Sequence, residues 1–195
     1  MIRLKNIKQV IYDTNVIIYY CFPKGRYNIK QHTNPAEMLT NFLFNQNSII
    51  IVPDFIINEI MKKGIYEIIE DYFSEIEQHQ KLRLYTKIKR NLERLKQSTQ
   101  FVVEEYTPST ALIDLINSAY DGFNQLPNIN QYLNLKKTDS LNPSIEDKML
   151  ILFSRQKKSP IVSHDRDLTF FRDELINMNL VTEIIDFNSI SSIAI

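Results

Sequence analysis

Gln9-Val10-Ile11-Tyr12-Asp13-Thr14-Asn15-Val16 is the stretch that decides the fold. Its apolar run is too short for a helix and closes on three polar residues, so it reads as a buried strand, followed by an apolar helical turn from Val16 to Tyr20. A strand apolar on both faces needs cover on both, as in a parallel sheet packed by helices. The chain repeats the pattern. Ser48-Ile49-Ile50-Ile51-Val52 is a second strand, after which Pro53 opens a helix expected to run to Gly64. Phe101-Val102-Val103, Pro160-Ile161-Val162-Ser163 and Val181 to Ile185 supply a third, fourth and fifth strand. Between them, helices are expected from the Asn34-Pro35-Ala36-Glu37 cap to about Asn45, in two stretches of opposite charge from Ile65 to Lys96, from Thr110 to Tyr120 with Gly122 as its stop, from Ser144 to about Arg155, and from Leu168 to Met178. Phe123 to Pro143, rich in Asn, reads as a long loop with about one turn. Strands alternating with helices predict an α/β domain with a parallel sheet.

The 195 residues fit a single domain over 1–195, long enough to bury a core without staples. Its 23 basic and 23 acidic side chains cancel, so the whole molecule exerts no general pull on polyanions, and nucleic-acid binding would need cations gathered locally. Gly25, Gly64 and Gly122 are too scattered for a dinucleotide fingerprint or a P-loop. The lone Cys21 excludes a disulfide framework and a four-thiolate zinc site and reads as a buried thiol. His32, His79 and His164 lie far apart, with no helical spacing between them. No apolar stretch is long enough for a bilayer, and the first eight residues alternate charged with apolar where a secretory signal needs a continuous apolar run. A cytoplasmic protein with no membrane partner is the expectation.

In open parallel sheets the functional crevice lies beyond the carboxyl ends of the strands. Four segments bring a carboxylate there: Asp13 after the first strand, Glu59 on the helix after the second, Asp147 in the first turn of the helix before the fourth, and Asp165 just after it. Gathered carboxylates repel and rise in pKa unless a divalent cation neutralises them, and an all-oxygen set suits Mg²⁺ or Mn²⁺ rather than zinc. Each acid alone also has an ordinary reading as a helix cap or first-turn carboxylate. Glu146 points about 100° around the helix from Asp147, so one of the two can face a common site, and Asp147 is taken. By strand alternation His164 points away from the side of Ser163 and Asp165.

Together these residues resemble the PIN-domain nucleases. Val10-Ile11-Tyr12-Asp13-Thr14-Asn15-Val16 looks like that family's opening motif, and Ile51-Val52-Pro53 with Glu59-Ile60 like its second. Glu146-Asp147 and Ile161-Val162-Ser163-His164-Asp165-Arg166-Asp167-Leu168 look like its third and fourth. The resemblance spans about Gln9 to Ile185. It implies a three-layer α/β/α domain with a five-stranded parallel sheet, and Asp13, Glu59, Asp147 and Asp165 as the catalytic cluster holding one or two Mg²⁺ or Mn²⁺ ions. Thr14, Asn15 and Ser163 match positions that support those carboxylates; Asp167 either assists them or, the preferred reading, caps the next helix. Glu59 and Asp147 lie 88 positions apart, more than in the compact toxin ribonucleases of the family, and the surplus reads as a helical insertion at about 65–100.

The activity implied is metal-dependent hydrolysis of phosphodiester bonds in single-stranded RNA by an endoribonuclease, a preference for RNA that the resemblance alone carries. A toxin-like role would bring a protein inhibitor or antitoxin as partner; a homodimer is also open. The rivals are a catalytically silent PIN-like domain that binds RNA or protein, and a structure-specific DNA nuclease with the same cluster. Arg83, Lys87, Arg90 and Arg94 form one ridge of the second charged helix. They read either as a phosphate-tracking surface or as a solvated face paired with the acidic helix before it. Tyr132, in the Asn-rich segment, is a candidate for stacking on a base.

Overall fold

The computed structural model describes residues 7–137, 141 and 143–187. Its strands are β1 (Gln9–Tyr12), β2 (Ile49–Pro53), β3 (Phe101–Glu104), β4 (Ile161–Ser163) and β5 (Ile184–Asp186). They form one all-parallel sheet in the order β3-β2-β1-β4-β5. β1 sits at the centre, with Ile11 opposite both Ile51 and Ile161, and its Val10, Ile11 and Tyr12 are fully buried, as the uninterrupted apolar reading requires. The chain leaves β1 toward β2 and β3, then crosses back to build β4 and β5 on the other side. The crevice between the carboxyl ends of β1 and β4 is therefore where the strand order reverses, the place such sheets present for ligands.

Helix α1 (Thr14–Cys21) packs against α2 (Lys30–Asn45), α5 (Gln78–Lys96) and a π-helical turn, Ile60–Gly64. That turn joins α3 (Asp54–Glu59) to α4 (Ile65–Phe73). In the crossover from β3 to β4, α6 (Thr110–Phe123) and α8 (Ile145–Lys157) pack on each other, with α7 (Ile129–Lys136) between them in sequence. Two short helices, α9 (Arg166–Thr169) and α10 (Arg172–Asn177), lead into β5. Right-handed crossovers put the connections on either side of β1 on opposite faces, compatible with three layers. Among the described residues no helix is long and apolar enough to cross a membrane.

Four expectations are corrected. Gly64 does not end its helix: α4 follows without a break, and a Cβ at Gly64 would stand 3.0 Å from Ile18 and 3.1 Å from Thr14. The glycine serves close approach to α1 rather than termination. Helix α2 begins at Lys30, one turn before Pro35, because Thr33 donates to Asn28 and His32 stacks on Tyr19 at 4.7 Å, so tertiary contacts offset the missing proline N–H. The Asn-rich segment contains a true helix, α7, whose short apolar signal is Ile129, Tyr132 and Leu133. The expected helix from Leu168 to Met178 breaks at Phe170 and Phe171, where Phe171 is buried against Tyr120, Phe123 and Tyr132.

Candidate metal centre

Three of the four expected acids start helices, and this is how the fold aims them. Asp13 follows β1 directly, its amide donating to the Val162 carbonyl of β4 at 3.1 Å, and caps α1 by accepting from the Thr14 amide at 2.6 Å. Its Oδ2 accepts from the Ser163 hydroxyl at 2.6 Å, tying the ends of β1 and β4 together through a side-chain pair. Asp165 caps α9, accepting from the Asp167 amide at 2.8 Å, while its own amide donates to Ser163 Oγ at 2.9 Å. Asp147 closes a capping box with Ser144: its amide donates to Ser144 Oγ at 3.0 Å, and its Oδ2 accepts from the Ser144 amide and hydroxyl at 3.1 and 2.7 Å.

The ordinary capping role is thus present at all three, but it does not explain the choice of residue. Serine, threonine or asparagine would cap as well. Two of them, Asp13 and Asp147, are instead raised by burial and by neighbouring carboxylates. Asp13, 5% exposed, is pushed up to about 7, first by burial and then by Asp165 and Glu59, against the lowering effect of the Ser163 and Thr14 hydrogen bonds. Asp147, 9% exposed, is raised well above the carboxylate range by burial, then by Asp13, Asp165 and Asp167. A divalent ion removes that conflict.

Among the described residues, Asp147, Asp165 and Asp167 each offer an oxygen within 4.8 Å of the other two. Oxygens on opposite sides of Mg²⁺ stand roughly 4 Å apart, so this set suits a hard divalent cation. Asp167 therefore belongs to the cluster, which corrects the capping reading: the cap of α9 is Asp165, and Asp167 is 7% exposed, its side chain receiving the Tyr132 hydroxyl. That bond also withdraws Tyr132 from base stacking, since the ring is buried against Phe170 and Phe171.

Asp13 adjoins this trio, raised by Asp165 and itself raising Asp147, whereas Glu59 is tied to the neighbouring Thr14 instead. Glu59 Oε2 accepts from Thr14 Oγ1 at 2.6 Å, and Lys63 lies 3.7 Å from Oε1. Burial raises the Glu59 carboxyl, the Thr14 bond lowers it, and the charge of Glu146 raises it further. Of the supporting residues, Thr14 and Ser163 each bond a cluster acid, whereas the half-buried Asn15 side chain makes no hydrogen bond among the described residues.

The residue that sequence reasoning missed is Lys136, the last residue of α7. Its Nζ stands 3.0 Å from Asp167 Oδ1 and 3.4 Å from Asp165 Oδ1. Burial works against its charge, but the carboxylates of Asp165 and Asp167 outweigh this and hold its pKa above the ordinary lysine value. A basic residue in a segment read as loop carries no signal of such a destination. His164, as alternation expects, turns elsewhere: its ring lies 5.1 Å from His32 and 5.5 Å from Phe187, with Nδ1 3.7 Å from Asp186. His32 Nε2 meets the Tyr72 hydroxyl at 2.8 Å, a grouping that the wide sequence spacing concealed.

Arg83, Lys87, Arg90 and Arg94 are exposed on α5 and take part in no ion pair among the described residues. Pairing with the acidic helix runs through Lys81 and Glu70 at 2.6 Å instead, beside stacked Tyr66 and Tyr85. Only its C-terminal end is placed against α1: Asn91 beside it donates to the Cys21 carbonyl, and Arg94 lines a crevice of about 370 Å³ with Tyr20, Phe22 and Lys24. No family model matches this chain, and no curated protein matches it either.

Proposed function

We propose that this protein is a metal-dependent nuclease of the PIN-domain kind, an endoribonuclease that hydrolyses phosphodiester bonds in single-stranded RNA. The observation that carries the reading is the convergence of buried, mutually repelling carboxylates from separate segments at the point where the strand order reverses. Asp147, Asp165 and Asp167 would hold the ion, with Asp13 beside them. Held there, a divalent ion would supply positive charge to a phosphate group and would acidify water. Ser163 orients Asp13 toward β4, the Ser144 box fixes Asp147, and Thr14 holds Glu59 at the margin, where its raised pKa suits it to exchange a proton with water. The exposed ridge of α5, which forms no ion pair among the described residues, is a surface of this neutral chain suited to attract phosphates.

One observation favours the rival reading, a PIN-like domain that binds RNA or protein without cutting: an ammonium group already stands among the acids. Incubating the purified protein with end-labelled single-stranded RNA and with DNA of matched sequence, in Mn²⁺ and in EDTA, separates the readings. RNA cleavage in Mn²⁺ alone, absent from Asp13→Asn, is expected. No cleavage of either strand points to the silent domain, and preference for DNA to the DNA nuclease.

A further inference from the structure

We propose that Lys136 is the resident counter-ion of the carboxylate cluster, and that a divalent metal binds only by expelling it. The inference rests on the metal-centre reading above.

The geometry sets ammonium and metal in competition for the same carboxylates. Lys136 Nζ lies 3.0 and 3.4 Å from oxygens of Asp167 and Asp165, two of the three acids whose oxygens cluster within 4.8 Å. A metal ion on those oxygens, at roughly 2.1 Å from each, would lie within about 5 Å of Nζ, and a divalent charge that close to an ammonium repels it strongly in a half-buried site. Ligand oxygens engaged by the ammonium are also poorer donors to the metal.

The surroundings allow the side chain to leave while its helix stays. α7 is anchored independently: Tyr132 is buried with its hydroxyl on Asp167, and the Arg166 guanidinium donates to the Leu135 carbonyl at 2.8 Å. Lys136 closes α7, and Lys137 beyond it adopts the left-handed φ of 54°. The lysine side chain is 30% exposed, so its four-carbon stem opens onto solvent. Its ammonium bonds these two carboxylates, which are the groups a metal would claim. The lysine thus neutralises the cluster when no metal is present and sets the concentration of metal needed to displace it.

The test measures Mn²⁺ binding to the full chain by electron paramagnetic resonance of the free ion. Lys136→Met, which keeps the stem and removes the charge, is expected to bind Mn²⁺ about tenfold more tightly than wild type, and Lys136→Arg within about threefold of it. In EDTA, Lys136→Met is expected to melt below wild type, with a larger rise on adding metal. Equal or weaker Mn²⁺ binding by Lys136→Met overturns the proposal while leaving the metal centre intact. Absence of Mn²⁺ binding in every variant overturns both. Wild-type protein gives a second measurement that needs no variant to fold: acylation of Lys136 by an amine-reactive ester, read by mass spectrometry, should rise several-fold in saturating Mg²⁺. Labelling that does not change on adding Mg²⁺, although Mg²⁺ raises the melting temperature, refutes displacement.

Discussion

The carboxylate cluster at the strand ends and the cationic ridge of α5 carry charge in opposite ways. Asp13, Asp147 and Asp167 are buried, each held by side-chain or backbone hydrogen bonds, and the first two are raised in pKa by burial and by their neighbours. Arg83, Lys87, Arg90 and Arg94 are exposed and form no ion pair among the described residues, placed by helical periodicity alone. Burying like charges costs folding free energy, so the cluster is a feature the fold maintains against its own stability, whereas the ridge costs almost nothing to keep. A close-set buried cluster consequently carries more functional information than an exposed row of the same number of charges.

The largest expected effect tests the cluster. Asp165→Asn and Asp13→Asn preserve capping but remove a charge, so each should lower Mn²⁺-dependent RNA cleavage at least about a hundredfold while leaving the melting temperature in EDTA unchanged or higher. Wild-type rates in either variant would break the contrast. Next comes the ridge. Replacing its four cations with Glu should weaken binding of single-stranded RNA about tenfold or more, and the slope of log affinity against log salt should flatten by roughly 0.7 for each phosphate that the ridge neutralises in the wild type. An unchanged slope would return the ridge to a merely solvated face.

Proton linkage gives a smaller effect with a definite sign. The Asp13 carboxyl has a folded pKa of about 7 against an ordinary value of 3.8, so between those values the folded state holds a proton that the unfolded chain releases. Its contribution to metal-free stability is therefore present below the lower value and is lost as pH rises through the window to about 7. Thermal melts in EDTA should show a higher melting temperature at pH 5 than at pH 8, by roughly 5 °C, with a shallower dependence in Asp13→Asn. Equal slopes in the two proteins would mean that Asp13 is not the group responsible. The smallest effect reaches the cluster through packing: Gly64→Ala presses on Thr14 and Ile18 and should cost roughly 1 kcal/mol in urea denaturation, through a residue that also holds Glu59. No loss of stability would show that the two side chains yield freely.

How far the sequence could be read varies with the range of the interaction. β1 and β2 were legible because strands covered on both faces must be apolar throughout, β3 from its short run of Phe101, Val102 and Val103 although only Phe101 is buried at that sheet edge, and α8 because Ser144 and Asp147 form a local cap. Gly64 misled because a stop signal and a close-approach glycine look alike until the second helix is in place. At the site, Asp13, Asp147 and Asp165 were legible from their positions beside strand and helix ends. Asp167 was placed with the caps because the sequence does not reveal that Tyr132 and Lys136, more than thirty positions away, reach back to it.

The one-dimensional pattern determined the order of strands and helices, the parallel sheet and the ends at which the acids emerge, since burial and capping act over a few residues and leave a periodic trace. Tertiary structure alone decided that Asp147, Asp165 and Asp167 bring their oxygens together, that Glu59 is tied to Thr14, and that Lys136 sits among the carboxylates. Those outcomes depend on strand register and on where separate helices cross, and a few tenths of a nanometre decide between bonding and indifference for charged groups. Local composition does not encode distances on that scale.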